Sequence, residues 1–455
     1  MISNVILYRR HMGRVHQYII IINGLNDPIK FLILQGSKRT TMNIVIVGAG
    51  PAGLYAAHRL LHVNKKMIRH IQVLEANPYA GGRTRMEPVF GHSVVTGAGV
   101  VRKNDRHLRR LCQQLHVPLR PFSSHVQYGA VNDTSSERSP TLAEWIQRLL
   151  THRSEIKDSE DFRTNFIRIL GKDAYRAFVE TCGYTDYEKA DIWDTLFDYG
   201  FQDNTSEQRL FSVDWNALIA SLVTDLTKND TRFHLALSTP VTSIEYRSQF
   251  ILKTDTPYKW YVADRVIWAT ARPAWNVLLQ SFLGDSAVWR NIARQVQGQP
   301  FLRAYARPIS TDQEVAARTI TTMTHLPVSN ALQKILPYHP RGDSKGDEPF
   351  YMISYSDNQH ARRANHDLQD KGVGWLSRQT GGLRWKPEIH RFFWECGTHY
   401  FKPLDRRRWK DRDEFIRYAH HPFPGLFVVG ELLSRNQGWT EGALESVQDV
   451  VHNFL

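Results

Sequence analysis

The sequence predicts a mixed α/β protein in which a nucleotide-binding unit of strands and helices is interrupted by a substrate domain of mixed sheet and inserted helices. Three observations carry this expectation. A β-branched run after Asn43 stops at a glycine turn and passes into a helical apolar period through Leu60. A stretch from about Asp105 to Asp203 shows helical faces and few strand signals, and strand-like runs return between Phe233 and Tyr355.

The elements follow in order. Residues Met1 to Thr41 carry six basic side chains (Arg9, Arg10, Arg14, Lys30, Lys38, Arg39) and one acid, Asp27, a net +5 that leaves +8 for the remainder. The segment is not Ser-rich, and its apolar run Tyr18 to Ile22 soon meets Asn23 and Gly24, so it is short for a secretory signal. A transit peptide and a plain upstream extension both stay open, and no function is assigned to it. From Asn43 the chain reads strand, tight turn, helix, and a second short strand, Ile71 to Leu74, ends at Glu75. Leu108, Leu111, Cys112 and Leu115 then fall on one helical face, as do Trp145, Ile146, Leu149 and Leu150. Strands are expected at Phe233–Leu237, Val241–Tyr246, Phe250–Lys253, Arg265–Ala269, Phe301–Ala306 and Phe350–Tyr355, with an exposed loop over Leu336–Glu348. No internal repeat is seen. The boundaries expected are 1–41 for the extension, 42–125, 205–272 and 420–455 for the nucleotide-binding unit, 126–204 for a helical substrate region and 273–419 for the substrate domain.

Composition sets the outer limits. With 455 residues, 42% hydrophobic, and 28 Gly against 20 Pro, the chain is neither disordered nor collagenous. No run approaches the roughly 20 apolar residues of a spanning helix. The last helix stops with Asp449–Leu455 and no hydrophobic tail, so the expectation is a soluble protein without a membrane partner. Cys112, Cys182 and Cys396 lie far apart and form no CxxC, which excludes a disulfide framework and a Cys-rich metal site. No metal is assigned, and a cytoplasmic or other reducing compartment is expected. The net charge of +13 is compatible with nucleic acid, but the charges are scattered and read as a solvated basic surface.

Gly48-Ala49-Gly50-Pro51-Ala52-Gly53 fits GxGxxG, between a strand and a helix, and Glu75 lies 22 residues beyond Gly53 at the end of the next strand. This is the Rossmann-like dinucleotide arrangement. Gly48 makes the turn, Gly50 lets backbone approach a pyrophosphate, Gly53 allows close packing behind Ala52, and the Glu75 carboxylate can accept both ribose hydroxyls.

The stretch after Glu75, Ala76-Asn77-Pro78-Tyr79-Ala80-Gly81-Gly82-Arg83-Thr84, resembles the second signature of the FAD-dependent amine oxidase superfamily. So does the far end of the chain: Pro424-Gly425-Leu426-Phe427-Val428-Val429-Gly430-Glu431, then Gly438-Trp439-Thr440-Glu441-Gly442-Ala443. The resemblance implies FAD as cofactor, with the Gly82 turn over the pyrophosphate and flavin and Arg83 on two phosphates. It implies that Gly430 ends a strand, that Glu431 accepts from the ribitol or phosphate region, and that the helix from Thr440 aims its N-terminus at the flavin pyrimidine edge. The backbone at Val241 would hold the adenine.

The same resemblance supplies candidates for the reacting centre. Trp439 matches the aromatic position beside the flavin. Cys396, in Trp394-Glu395-Cys396-Gly397-Thr398-His399, matches in one register the cysteine that monoamine oxidases attach covalently to flavin, with Gly397 in place of a cage tyrosine; in the register of L-amino-acid oxidases there is no covalent link. Gly99-Val100-Val101-Arg102 resembles the Gly-x-x-Arg whose arginine holds a substrate α-carboxylate in L-amino-acid oxidases, and His107 repeats their spacing. Where many relatives place a lysine that assists oxygen, the matching strand offers Arg303, which leaves oxygen less secure as acceptor and could instead bind carboxylate. The expected function is oxidation of the C–N bond of an amine or L-amino acid to an imine by hydride transfer to flavin N5, with oxygen yielding hydrogen peroxide. Two alternatives are kept: a desaturase or porphyrinogen-oxidase-like flavoenzyme, and a non-catalytic flavoprotein that holds nucleic acid.

Overall fold

A computed structural model describes the chain except for residues 1–3, 13–14, 24–29, 35–40, 64, 123–125, 129–139, 202–209, 256–258, 285, 339–347 and 455. It divides into two units, Met1–Met42 and Asn43–Leu455. In the first, strands Asn4–Met12, Val15–Asn23 and Lys30–Leu34 pair antiparallel in that order, a sheet that the charge-based reading of this segment did not anticipate.

The second unit is organised by a five-stranded sheet in the spatial order Phe233–Ala236, Ile68–Leu74, Met42–Val47, Arg265–Trp268, Leu426–Val428. Residues 233–236 pair parallel with 71–74, 265–268 pair parallel with 44–47, and 266–268 pair parallel with 426–428. Three distant stretches thus assemble one nucleotide-binding sheet. Ile44 to Val47 is buried at every residue, the expected state of a central strand covered on both faces. The helix Pro51–Val63 follows it, with Pro51 in the first turn where its missing N–H costs nothing, and buries Leu54, Ala56, Ala57 and Leu60 completely. Trp268, Trp275, Trp289, Phe401 and Phe415 fill the core on the other side of the sheet.

A six-stranded sheet forms the substrate side, in the order Val126–Tyr128, Met323–His325, Lys334–Tyr338, Phe350–Asp357, Val296–Pro308, Trp385–Phe401. Two of its strands run beyond the expected bounds, and the 17-residue strand Trp385–Phe401 was not anticipated. It contains Pro387 and Gly397, its residues are mostly half-buried, and its pairing shifts register against Gln299–Phe301 and Ala306–Pro308, so no period-2 pattern shows. The loop expected over Leu336–Glu348 begins as strand through Tyr338, and 339–347 lie outside the described residues.

The helical region contains Arg106–Gln114, Leu142–Thr151, Phe162–Leu170, Lys172–Cys182 and Ile192–Asp198. Its core is aromatic: Phe162 meets Phe166, Phe178, Tyr187 and Phe201 at ring-centroid distances of 5.8, 5.5, 5.1 and 6.0 Å. Truncating such a ring costs about 3–5 kcal/mol. Asp357, at the end of its strand, accepts the Thr185 N–H at 3.1 Å and the Thr185 hydroxyl, which pins the Tyr184–Asp186 turn of the helical region to the six-stranded sheet.

Candidate active site

The nucleotide turn is built as its glycines require. Gly48 has φ +104° and donates to Leu74 O at 2.8 Å. A Cβ on Gly53 would stand 1.9 Å from Gly48 O, so only glycine lets the helix start so close to the turn. A Cβ on Gly50, in contrast, would meet nothing within 4 Å, because that face opens into a cavity of about 1180 Å³. Gly48, Gly50, Pro51 and Ala52 line it, as do Thr440 and Ala443 at the start of the helix Thr440–Phe454. Two helix N-termini therefore face one chamber and present amide donors and partial positive charge to an anion.

These residues fit a dinucleotide. Glu75 lines the cavity, with Oε2 accepting the Ala49 N–H at 2.8 Å and Oε1 accepting the Asn77 backbone and side-chain N–H at 2.9 and 2.7 Å. Its carboxylate is oriented by backbone and keeps lone-pair capacity for a ribose hydroxyl. Gly82 and Arg83 line the same wall. Val241 does not: it opens a separate antiparallel sheet with Phe250–Thr254 and Trp260–Ala263, and it is absent from the cavity lining among the described residues.

Arg83 and Glu431 lie together. Arg83 Nη1 donates to Glu431 Oε1 and to Gly397 O, each at 2.7 Å. Glu431 Oε2 accepts the Gly438 N–H at 2.9 Å, and Oε1 also binds His399 Nδ1. Both oxygens of Glu431 are thus oriented by protein donors, as those of Glu75 are, and Glu431 lines the cavity, where Oε2 keeps lone-pair capacity for a ligand hydroxyl. Burial alone would raise the Glu431 pKa, but the adjacent His399 and Arg83 outweigh it and hold the carboxyl well below the usual range. The same coupling raises His399 to about 9 against the opposing effect of burial.

His399 Nε2 is in turn 3.2 Å from Cys396 Sγ. Burial pushes the Cys396 thiol up, yet the imidazolium and Arg83 more than reverse this and lower its pKa below the ordinary value. Cys396 faces the cavity, packed where a Cβ on Gly298 would stand 2.3 Å from its sulfur. Next to it, a Cβ on Gly397 would lie 2.2 Å from Phe301 Cβ. Position 397 is small because Phe301, from the neighbouring strand, fills the space.

The two arginines expected at the reacting centre separate. Arg102 is buried, but its Nε bonds Asp105 Oδ1 at 2.8 Å, its Nη2 bonds Asn436 Oδ1 at 3.1 Å, and its guanidinium lies 4.0 Å from the Trp439 ring centroid. It is absent from the cavity lining, so the carboxylate role expected for it is not supported by its position; it backs Trp439, which does line the cavity. Arg303 lines the cavity and is 4% exposed. Its Nε donates to Gly97 O at 2.8 Å and its Nη1 to Met352 Sδ at 3.3 Å, and its guanidinium lies 4.2 Å from the Tyr355 centroid. No carboxylate among the described residues makes an ion pair with it. A buried cation held by a carbonyl, a thioether and π faces can still take an anion.

Four further groups at this end carry no local motif and were not anticipated. Tyr184, Asp186 and Tyr199 line the cavity beside Phe301 and Tyr355, and Tyr199 donates its hydroxyl to Asp186. Burial and the neighbouring Asp357 raise the Asp186 carboxyl to about 7. Behind them Lys334, fully buried, has no hydrogen-bond partner for Nζ among the described residues and sits 4.3 Å from the Tyr355 centroid; burial lowers its pKa well below the usual value. Only the contact of three segments reveals this cluster.

Comparison with known proteins agrees with the fold. The family described as NAD(P)-binding Rossmann-like domain matches residues 46–115. The chain is 25% identical over 247 residues, half of its length, to human "Lysine-specific histone demethylase 2", and spans 29% of that protein. A putrescine oxidase structure superposes with a TM-score of 0.68 at 14% identity, covering 91% of this chain and 98% of the other. Cyclohexylamine oxidase from Brevibacterium oxydans IH-35A gives 0.67 at 16%, covering 90% and 98%, and a putative protoporphyrinogen oxidase from Exiguobacterium sp. 255-15 gives 0.65 at 15%, covering 92% and 99%. Among the described residues no helix is long and apolar enough to cross a membrane. The fold is shared with the putrescine oxidase and cyclohexylamine oxidase structures, and residues 46–115 match the Rossmann-like nucleotide-binding family.

Proposed function

We propose that the protein is an FAD-dependent oxidoreductase that oxidises the C–N bond of a small amine or L-amino acid, with oxygen as electron acceptor and hydrogen peroxide as its product. One observation carries this reading: a single cavity runs from Gly50 and Glu75 to Arg303, Tyr355 and Trp439, so a dinucleotide and a small molecule share one chamber. FAD, when bound, supplies the electron sink for the oxidation.

The chain's residues supply the rest. Gly48, Gly50, Ala52, Gly82, Arg83 and Thr440 hold the cofactor by backbone donors and charge, and Glu75 takes the ribose. Trp439, Phe301, Tyr184 and Tyr355 make an apolar wall that excludes water. Asp186, held near neutrality, can take the proton of an entering ammonium so that the amine reacts as the free base. Arg303 supports the amino-acid branch, because its guanidinium faces the cavity with no acid among the described residues paired to it.

Anaerobic mixing of the FAD-loaded protein with a panel of amines and L-amino acids tests the proposal. Bleaching of the flavin spectrum by one class, followed by peroxide formation when air is admitted, is the expected result. Folded protein that stays colourless and does not take up FAD overturns the cofactor, and flavin that no amine or amino acid reduces overturns the reaction. Bleaching by a porphyrinogen alone would favour the activity named for the Exiguobacterium neighbour.

A further inference from the structure

The helix Pro51–Val63 turns its first residues to the nucleotide cavity, and its other end packs against the helix Trp215–Asn229. His58 and His62, four residues apart, share one face there, with ring centroids 4.2 Å apart. Asp225 of the second helix completes the group. One ligand-capable atom from each of the three lies within 4.8 Å of the others, and no other such group of three occurs among the described residues.

The imidazoles are set up as ligands. His62 Nδ1 is 2.7 Å from His58 O, an arrangement that places the proton on Nδ1 and leaves the Nε2 lone pair outward, the usual orienting contact of a metal-binding histidine. The His58 side chain is 7% exposed; its Nδ1 has no hydrogen-bond partner, and its Nε2 stands 3.7 Å from Asp225 Oδ2, beyond hydrogen-bond reach. Either neutral tautomer therefore leaves a buried ring nitrogen unserved.

We propose that His58, His62 and Asp225 bind a divalent transition metal, with zinc the fitting ion. Tetrahedral bonds of about 2.0–2.1 Å place ligand atoms roughly 3.3 Å apart; the His58–Asp225 pair, at 3.7 Å, is near that spacing, and the group as a whole, within 4.8 Å, closes on it by side-chain rotation, most freely at the exposed His62. Two imidazoles and one carboxylate suit zinc rather than calcium or magnesium, and the exposed side of His62 leaves the fourth position to water. Bound metal staples the helix that presents its N-terminus to the nucleotide to its neighbour. The His-x-x-x-His pair lacks its third ligand until these helices meet, which is why cysteine spacing and local sequence gave no metal site.

Calorimetric titration of the full chain with zinc chloride, after chelator treatment and dialysis, tests this, together with cobalt(II) titration followed by visible absorption. One zinc per chain, a tetrahedral cobalt spectrum and a raised Tm are expected. His62→Ala, at an exposed ring, and Asp225→Asn should each weaken zinc binding by about ten-fold or more and remove the Tm rise. His234→Ala, which breaks the separate His70–His234 ring pair at 4.7 Å, should leave both unchanged. Far-UV circular dichroism confirms that each variant is folded. Absence of zinc binding in the unsubstituted chain, an affinity untouched by the first two variants, or an equal loss in His234→Ala overturns the proposal.

Discussion

At the nucleotide end of the cavity the surface is made by backbone and one oriented acid: Gly48, Gly50, Gly82 and the two helix N-termini, with Glu75 held by Ala49 and Asn77. At the far end it is made by side chains, Tyr184 and Asp186 from the helical region, Phe301 and Arg303 from one strand and Tyr355 from the next. The first end tolerates little change of residue because Gly48 and Gly82 hold positive φ and a Cβ on Gly53 would strike Gly48 O, while the space beside Gly50 is the cavity itself. The second can exchange volume between neighbours, as Gly397 and Phe301 already do, and its charges are not all neutralised by protein. Under the proposed function, cofactor binding falls to the rigid end and choice of substrate to the adaptable one.

The strongest test of that contrast is Gly53→Val. Its Cβ would fall 1.9 Å from Gly48 O, so flavin content, read from visible absorbance against protein absorbance, should drop to background while circular dichroism still reports a folded chain. Stoichiometric flavin in this variant would remove the close-packing argument.

Next, Arg303→Met should lower kcat/KM for amino acids by about 10- to 150-fold, the worth of a charged hydrogen bond, and spare simple amines. Arg102→Met should lower kcat/KM for both classes alike, by roughly 2- to 30-fold, since it acts through its contact with Trp439. If Arg102→Met proves selective for amino acids and Arg303→Met does not, the assignment of the two arginines is reversed.

The Glu431–His399 pair predicts a pH signature. His399 is raised to about 9, so its contribution to stability is fully present below the unfolded histidine value near 6.5 and is lost as pH rises through about 9. Glu431 is depressed, so its share is present above the unfolded carboxylate value and fades as pH falls. Urea denaturation should show the unsubstituted chain losing about 3 kcal/mol between pH 6.5 and 9 relative to Glu431→Gln; parallel pH curves would show that the pair is uncoupled.

The smallest expected effect is steric. Gly397→Ala should cost about 1–3 kcal/mol by overpacking against Phe301, and Phe301→Gly, which removes the Cβ it would strike, should recover part of that cost in the same chain. Additive losses in this double-mutant cycle would mean that the two positions do not share space.

Legibility in the sequence follows the same division. The strand, turn and helix around Gly48, the strand Val241–Tyr246 and the buried faces of the helices at Leu108 and Trp145 could be read because each is set by local period and local backbone demand. The strand Trp385–Phe401 could not, since Pro387, Gly397 and its register shifts hide the alternation. Arg102 looked more informative than Arg303 because it sits in a recognisable string; its Asp105 partner is three residues away, but Asn436 and Trp439 arrive from the other end of the chain.

What the amino-acid order determined by itself is the nucleotide turn, since a positive φ and an absent Cβ are properties of single residues. Only the tertiary structure decided which cation meets the cavity, which acid is held near neutrality and which thiol is activated. Those properties are set by burial and by partners that folding brings up, most of them tens to hundreds of residues distant, as the pairing of Arg83 with Glu431 illustrates; even the near neighbours Cys396 and His399 depend on Glu431 from a separate segment. A residue's charge is written in the chain, but its availability depends on what folding brings beside it.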